Sequence, residues 1–422
     1  MNVIKKVPYV VVPLPTQIEP PQESITLVVK GSFRIVAGAP LEPLPEAEQV
    51  AISGDLRHMD ALGRSLAYAS DLEPYKVNGD LLFTGDCHQP GGTAAPSCRV
   101  AMTCGEWRKE LQVFGDRIWM AAEDGSAVAS EPGPFVSLPL RWELAFGGLE
   151  STDNPMGRGL DELEDEEGQP YWPLPNIEDP ASLIERLEDS PAPVGFAAVA
   201  PDWAARAAKL GTRDRRWATF RAPLPPKDFD HSYHNAAPED QQFDGGFRGD
   251  ETLTFENLHP DHPELRVTLP GRRPRALAVV IGDEGQELVE LPLTLDTIQV
   301  AMAEERVTLL WRGALAAASP VDVIANVFCV AEEPLAGESA TIEDLWALFR
   351  EEVEALAPDA ADQALQRQID EAMEQLKAQI ASSDLDPAVK ESLAGSEDPR
   401  VIFKALVGEV ERRIEQLKKQ AD

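Results

Sequence analysis

In D-F-D-H-S-Y-H, residues 228–234, two carboxylates and two imidazoles crowd into one short run. Asp228, Asp230, His231 and His234 are residue types that ligate a divalent cation, and Asp250 with Glu251 could complete the set. Such a site would serve metal-dependent hydrolysis. Histidines at i and i+3 share a metal on a helical turn, whereas the local Pro and Asp content disfavours a helix, so the plainer reading is a polar loop surface. No Walker loop, dinucleotide fingerprint, G-x-S-x-G elbow or H-E-x-x-H occurs, which removes the strongest motif-level cases for an enzyme.

This run lies in a longer irregular stretch, Arg141 to Pro270, densest between Ala222 and Glu251. Pro, Gly, Asn and Asp punctuate it every few residues, and aromatic side chains recur between them, so no helix or strand of ordinary length fits. Irregular backbone must pair its polar groups one by one. Asp228, Asp230, Asn235, Asp244 and Asp250 can supply those pairings as a loop-holding polar network. The aromatics Trp142, Phe146, Trp172, Trp203, Trp217, Phe229 and Tyr233 are core if buried, and partner anchors where several are exposed together.

The chain carries 38 basic and 73 acidic side chains, a formal net charge of −35. That balance disfavours nucleic acid and anionic membrane surfaces, which need clustered Lys and Arg. Cys87, Cys98, Cys104 and Cys329 lack the C-x-x-C spacing of a zinc or redox site, so buried free thiols in a reducing compartment are expected. Pro8 and Pro13 interrupt the N-terminal apolar run and leave too little for a signal-peptide core. No run approaches the roughly 20 apolar residues of a membrane helix. A soluble, cytoplasmic protein without a cofactor follows.

The elements that must position these residues read as mainly β with irregular loops, an antiparallel β-sandwich-like body carrying a C-terminal helical appendage. Residues 1–140 form its N-terminal part, with a hairpin over Ser24–Val36 turning or bulging at Gly31 and further short strands at 80–87, 98–104 and 109–119. Residues 141–333 hold the loop-rich region and a β-meander from Arg266 onward, which V-D-V-I-A-N-V-F-C-V completes. The D-E-L-E-D-E-E run at 161–167 repels itself and reads as a solvated surface loop. D-W-A-A-R-A-A-K-L-G is a short helix closed by Gly211. After a linker at 334–340, residues 341–422 turn helical. Thr341 with Asp344 forms a capping box before Leu345, Leu348, Phe349 and Val353, and further stripes follow at Leu365–Ile380 and Phe403–Leu417.

The central stretch also resembles a family known mainly as a domain of unknown function, encoded beside type VI secretion genes and recognised as effector adaptors or chaperones. The matching blocks are R-W-E-L-A-F-G-G (141–148), N-P-M-G-R-G (154–159), L-P-N-I-E-D-P (174–180), P-V-G-F-A-A-V-A-P-D-W (193–203), L-G-T-R-D-R-R-W (210–217) and P-L-P-P-K-D-F-D (223–230). N-A-A-P-E-D-Q-Q (235–242), G-D-E (249–251), N-L (257–258) and L-P-G (269–271) continue the series. The resemblance covers about residues 1–330 and leaves out the helical tail.

The resemblance implies a non-enzymatic cytoplasmic protein that binds a toxic effector and helps load it onto a spike, a valine–glycine-repeat trimer, possibly with its proline-alanine-alanine-arginine tip protein. Two other classes stand beside it. One is the metal-dependent hydrolase built on Asp228, Asp230, His231, His234 and Asp250. The other is an immunity-type inhibitor that the acidic charge would steer toward a basic toxin.

Overall fold

The structure, a computed structural model, describes residues 2–16, 23–61, 63–123, 126–165, 167–282, 285–317 and 327–356. Met1–Thr212 with Pro225–Phe349 form one compact unit; Arg213–Leu224 and the chain from Arg350 onward form a second. The expected stripes at 365–380 and 403–417 lie outside the described residues.

The larger unit is mainly β, as the alternation predicts, and its strands gather into three principal sheets. One sheet runs in the order Gln242–Asp244, Asn78–Thr84, Thr294–Ala301, Arg306–Ala317, Glu23–Arg34, Val10–Thr16, and Glu42–Pro43 also pairs with Glu23–Arg34. The second is antiparallel: Ile177–Glu178, Trp107–Phe114, Ser97–Cys104, Thr252–Glu256, Glu264–Thr268. The third places Asn2–Lys5 parallel to Val327–Pro334, followed by Arg272–Gly282 and Gly285–Leu291. Both hairpins expected after Arg266 are present, but they belong to different sheets. The meander is therefore split, with 272–291 and 327–334 in the third sheet and 294–317 in the first.

Gly31 is neither turn nor bulge. Glu23–Arg34 is one continuous strand whose neighbour in the hairpin is Val10–Thr16. A Cβ on Gly31 would lie 2.8 Å from Phe33 and 3.0 Å from Tyr9, so the glycine makes room for two core rings rather than reversing the chain.

That strand sets the plan of the core because both of its faces are buried. Ile25, Leu27, Val29 and Phe33 alternate onto a hydrophobic cluster shared by all three sheets. In the same cluster Phe83 of the first sheet meets Phe255 of the second at 6.0 Å between ring centres. The opposite face, Thr26, Lys30 and Ser32, is covered by the irregular segment 44–76. Polar side chains make that cover possible. Thr26 donates to Pro74 O at 2.9 Å, Gln49 receives Ser32 N at 2.7 Å, and Lys30 reaches Asp71 and Ala51 O, each at 2.7 Å. Burial pushes the Lys30 ammonium below its ordinary range, opposed by the adjoining Asp71 carboxylate.

Among the described residues no helix is long and apolar enough to cross a membrane. All four cysteines are free and buried, as expected. The helix Ala204–Ala207 runs into a single 3₁₀ turn ending at Leu210, with Gly211 at φ 72° after it. Thr341 and Asp344 form the expected reciprocal cap on Ile342–Ala347; Leu345 and Phe349 are buried, while Leu348 faces solvent.

Where the last strand leaves the third sheet, Glu333 gathers Arg273 (2.7 Å), Arg275 (3.0 Å) and Ser339 (2.8 Å). Burial raises this carboxyl, but the three donors more than offset it and hold it at about 2, against an ordinary 4.5. A carboxyl depressed in the folded state adds stability above its unfolded value and loses it as pH falls toward the folded one. The thermal midpoint of the protein should therefore drop between pH 4.5 and 2, and Glu333→Gln should make that drop shallower; an equal drop in the variant would assign it to other groups.

Candidate functional site

Of the seven aromatics named from sequence, three are core and cannot meet a partner in this structure. Trp142 is buried and donates through Nε1 to Ala197 O (3.1 Å) and Ala198 O (3.0 Å), with Trp203 edge-on at 5.5 Å. Trp203 is 2% exposed, and Phe146 packs with Leu174 and Ile184. Trp217, half-buried, lies in the second unit, where Asp214 caps its helix Arg215–Phe220 and Arg213 stands 5.5 Å from its ring. The surface aromatics are Trp172, 44% exposed, and the half-buried Phe229 and Tyr233.

Phe229 and Tyr233 belong to the 228–235 loop, and its polar groups are engaged separately. Asp228 accepts Thr212 N at 3.0 Å and Thr212 Oγ1 at 2.7 Å, which holds its exposed carboxyl below the ordinary range. Asp230 caps the turn His231–His234 through Ser232 N at 2.9 Å, with the same effect on its carboxyl. Asn235 is buried and donates to Asp80 (2.8 Å) and Asn78 O (2.7 Å). Asp250 pairs with Arg248 at 2.6 Å, and Glu251 receives Arg248 N and Gly249 N.

The histidines are likewise taken: His231 meets Tyr75, and His234 meets Glu73 at 2.5 Å. Burial would raise Glu73, but the His234 bond and the charges of Arg206 and Lys76 outweigh it and keep the carboxyl low. Among the described residues no three His, Cys, Asp or Glu side chains stand together as a metal would require. The run that looked like a ligand set is spread over four different partners. What it builds instead is a ring cluster, in which Phe229 lies 5.3 Å from His231 and 5.8 Å from Tyr233, and Tyr75 5.2 Å from His234.

A second surface was not legible as a site. Trp119–Ala121 pairs with Ala127–Ala129, Leu163–Glu164 pairs with Pro170–Tyr171, and the two hairpins join where Ile118 bridges Pro173 and Trp119 N donates to Trp172 O at 2.9 Å. The acidic run is at the surface, as expected, with Leu163–Glu164 as a short strand in it, and the two hairpins together make a small ribbon. Alternation gives the ribbon two faces. Trp119 and Ala129 point inward onto Phe146, Leu174 and Ile184. On the first hairpin Met120 and Val128 stand opposite those two, and Met120, Val128 and, on the second hairpin, Leu163 are each more than 40% exposed.

The ribbon stands on a rigid base. Arg117 and Glu178, both buried, are paired; Arg117 also donates to Pro175 O (2.8 Å) and lies 3.9 Å over Phe114, and Glu178 receives Ile184 N (2.8 Å). Beside them Asn154, fully buried, donates to Trp142 O (2.8 Å) and Phe146 O (3.0 Å). Arg158 donates to Asn176 Oδ1 (3.0 Å), and Asn176 to Phe114 O (3.1 Å). At Gly147, φ 152°, a Cβ would lie 2.2 Å from Asn154 O. Only glycine fits there.

The sequence matches, over residues 21–312, a family described as an uncharacterized protein conserved in bacteria, DUF2169. The chain belongs to the DUF2169 family. No curated protein and no solved structure matches it. In this DUF2169 member the blocks R-W-E-L-A-F-G-G, N-P-M-G-R-G and L-P-N-I-E-D-P are the fixture beneath the ribbon, for they supply Trp142, Phe146, Gly147, Asn154, Arg158, Asn176 and Glu178.

Sequence reasoning missed Arg117, Tyr75, Glu73 and the outward ribbon residues. The available signal was leucine recurring inside an acidic run, at 160 and 163, where a purely solvated loop has no use for it. It also missed an open cleft of about 640 Å³ lined by Phe247, Arg248, Arg273, Leu295, Trp311 and Leu335. Both arginines there are engaged by carboxylates, Asp250 and Glu333.

Denaturant unfolding should separate the two classes of aromatic in this DUF2169 protein. Trp203→Ala should cost ~3–5 kcal/mol, and Trp172→Ala less than ~1 kcal/mol. Glu178→Gln, which strands Arg117 in the interior, should cost ~3–5 kcal/mol. A Glu178→Gln variant as stable as wild type would remove the buried pair as the ribbon's support.

Proposed function

We propose that this protein is a cytoplasmic, non-catalytic adaptor that binds a type VI secretion effector and assists its loading onto the valine–glycine-repeat spike. The reading rests on the family blocks together with one observation: the two firmly based hairpins leave Met120, Val128 and Leu163 exposed to solvent. Where exposed apolar side chains gather into a large patch they mark a surface for a partner. The separate engagement of Asp228, Asp230, His231 and His234 favours binding over metal-assisted hydrolysis. A binding protein also gains from holding its contact face still, since less freedom is lost on association. The buried Arg117–Glu178 pair and the Asn154 bonds do that here.

The test is affinity purification of the tagged full-length chain from its own host, followed by mass spectrometry. An effector and the spike protein should be recovered in stoichiometric amounts. Recovery of neither, from protein whose circular dichroism shows a folded β-rich chain, would overturn the adaptor reading.

A further inference from the structure

Lys30, Lys76 and Lys109 each bring a buried amino group to a carboxylate. Their surroundings differ. Asp71 shares itself between Lys30, Tyr68 and Ser53 N, and among the described residues no carboxamide joins that set. Lys109 does meet a carboxamide, Gln241, but the Gln241 nitrogen donates to Leu81 O and Phe196 O, and the Asp240 side chain is 59% exposed to water. At Lys76 an amine, a carboxyl and a carboxamide are enclosed together. The Lys76 and Asp80 side chains are 1% and 0% exposed, and Asn235 is 3% exposed.

Asp80 stands between the other two. Its Oδ2 accepts Lys76 Nζ at 2.6 Å and its Oδ1 accepts Asn235 Nδ2 at 2.8 Å. Nδ2 also donates to Asn78 O at 2.7 Å, so two acceptors fix which end of the carboxamide is nitrogen. The other end, Asn235 Oδ1, accepts Asn78 N at 3.3 Å. Ala236 N donates to Asp80 Oδ2 at 2.8 Å and keeps the carboxyl turned this way. Each group thus has the place that amide exchange requires: a nucleophilic amine, a carboxyl touching both that amine and the leaving nitrogen, and a backbone N–H on the carbonyl oxygen.

We propose that Lys76 and Asn235 join in an intramolecular isopeptide bond, with Asp80 as the proton carrier. Two charges shut away from water are costly, and transfer of a proton from Nζ to Asp80 Oδ2 removes both while freeing the amine lone pair. Nζ attacks Asn235 Cγ, and the negative charge gathers on Oδ1, against Asn78 N–H. Asp80 gives a proton to Nδ2 through Oδ1 and takes one from Nζ at Oδ2. The Cγ–Nζ bond forms and the Cγ–Nδ2 bond breaks. Ammonia leaves with the proton that Asp80 still carries, as ammonium, and Asp80 is again a carboxylate. No oxidant or further reactant is needed. The product fastens the 228–235 loop covalently to the segment that enters the first sheet at Asn78, whatever partner the protein has.

Mass spectrometry of the denatured full-length protein should find it lighter than its sequence by one ammonia. A tryptic digest should contain a branched peptide joining residues 65–99 to 228–248, because trypsin does not cut after an acylated lysine. The branch is decisive, since Asn-Gly at 78–79 can lose ammonia alone by forming a succinimide, which leaves an unbranched peptide that is cut after Lys76. Lys76→Arg and Asn235→Ala should each remain at full sequence mass. Asp80→Asn, which keeps both ends of the bond, should remain there too.

Wild-type protein at full sequence mass, or an ammonia loss confined to residues 78–79, would overturn the proposal, and neither measurement depends on a variant that folds. A branched peptide formed as completely in Asp80→Asn as in wild type would overturn the proton-carrier role of Asp80.

Discussion

Both faces of the strand Glu23–Arg34 are buried, and much of the architecture answers that constraint. An apolar face needs only other apolar surface, which the three sheets supply. The face bearing Thr26, Lys30 and Ser32 can be buried only if each polar atom finds a partner, because an unpaired group in the interior costs several kcal/mol. The partners come from an irregular segment. Asp71 takes Lys30, Tyr68 (2.8 Å) and Ser53 N (2.9 Å), and its carbonyl receives Arg312 (2.9 Å), which is itself paired with Asp296. Residues 44–76 therefore lie on the sheet in one way, although they hold only short helical turns and strands.

The same device recurs wherever loop backbone crosses the body. Asp80 gathers Lys76 (2.6 Å), Asn235 and Ala236 N, and so pins the 228–235 loop to the first sheet. Lys109 ties the second sheet to two other irregular segments through Gly195 O and through Asp240 and Gln241, all within 2.9 Å. Arg117 and Glu178 do so beneath the ribbon. A buried pair of this kind is weak evidence for stability, since two well-packed apolar residues would often serve as well; what it supplies is a single arrangement. Where a long irregular stretch must hold one shape, that is the useful property.

The extent to which sequence revealed this follows from the range of each signal. Strand alternation and the Thr341–Asp344 cap are local, and both are found. The ranges of the last hairpins could be read, but not their division between two sheets, because strand order is decided by partners hundreds of residues away in sequence. Gly31 carried a turn signal locally, and a tertiary requirement for space beside Tyr9 and Phe33 overrode it. The aromatics divide for a related reason: type and spacing do not distinguish Trp203, in the core, from Trp172, at the surface. The histidines and carboxylates at 228–234 lie on a loop, and Tyr75, Glu73 and Thr212, which engage three of them, come from other parts of the chain.

The blocks R-W-E-L-A-F-G-G, N-P-M-G-R-G and L-P-N-I-E-D-P serve the interior of the protein. Gly147, Asn154, Arg158, Asn176 and Glu178 are spent on backbone carbonyls, a close glycine contact and a buried ion pair, so each is fixed by geometry inside the protein and none points at a partner. The outward ribbon residues lie between and beside those blocks and carry no internal duty of that kind. Met120, Val128 and Leu163 could change without loss of the base, provided the strands kept their register. A scaffold whose packing is carried by one set of residues can hold its fold while the exposed residues between them are altered.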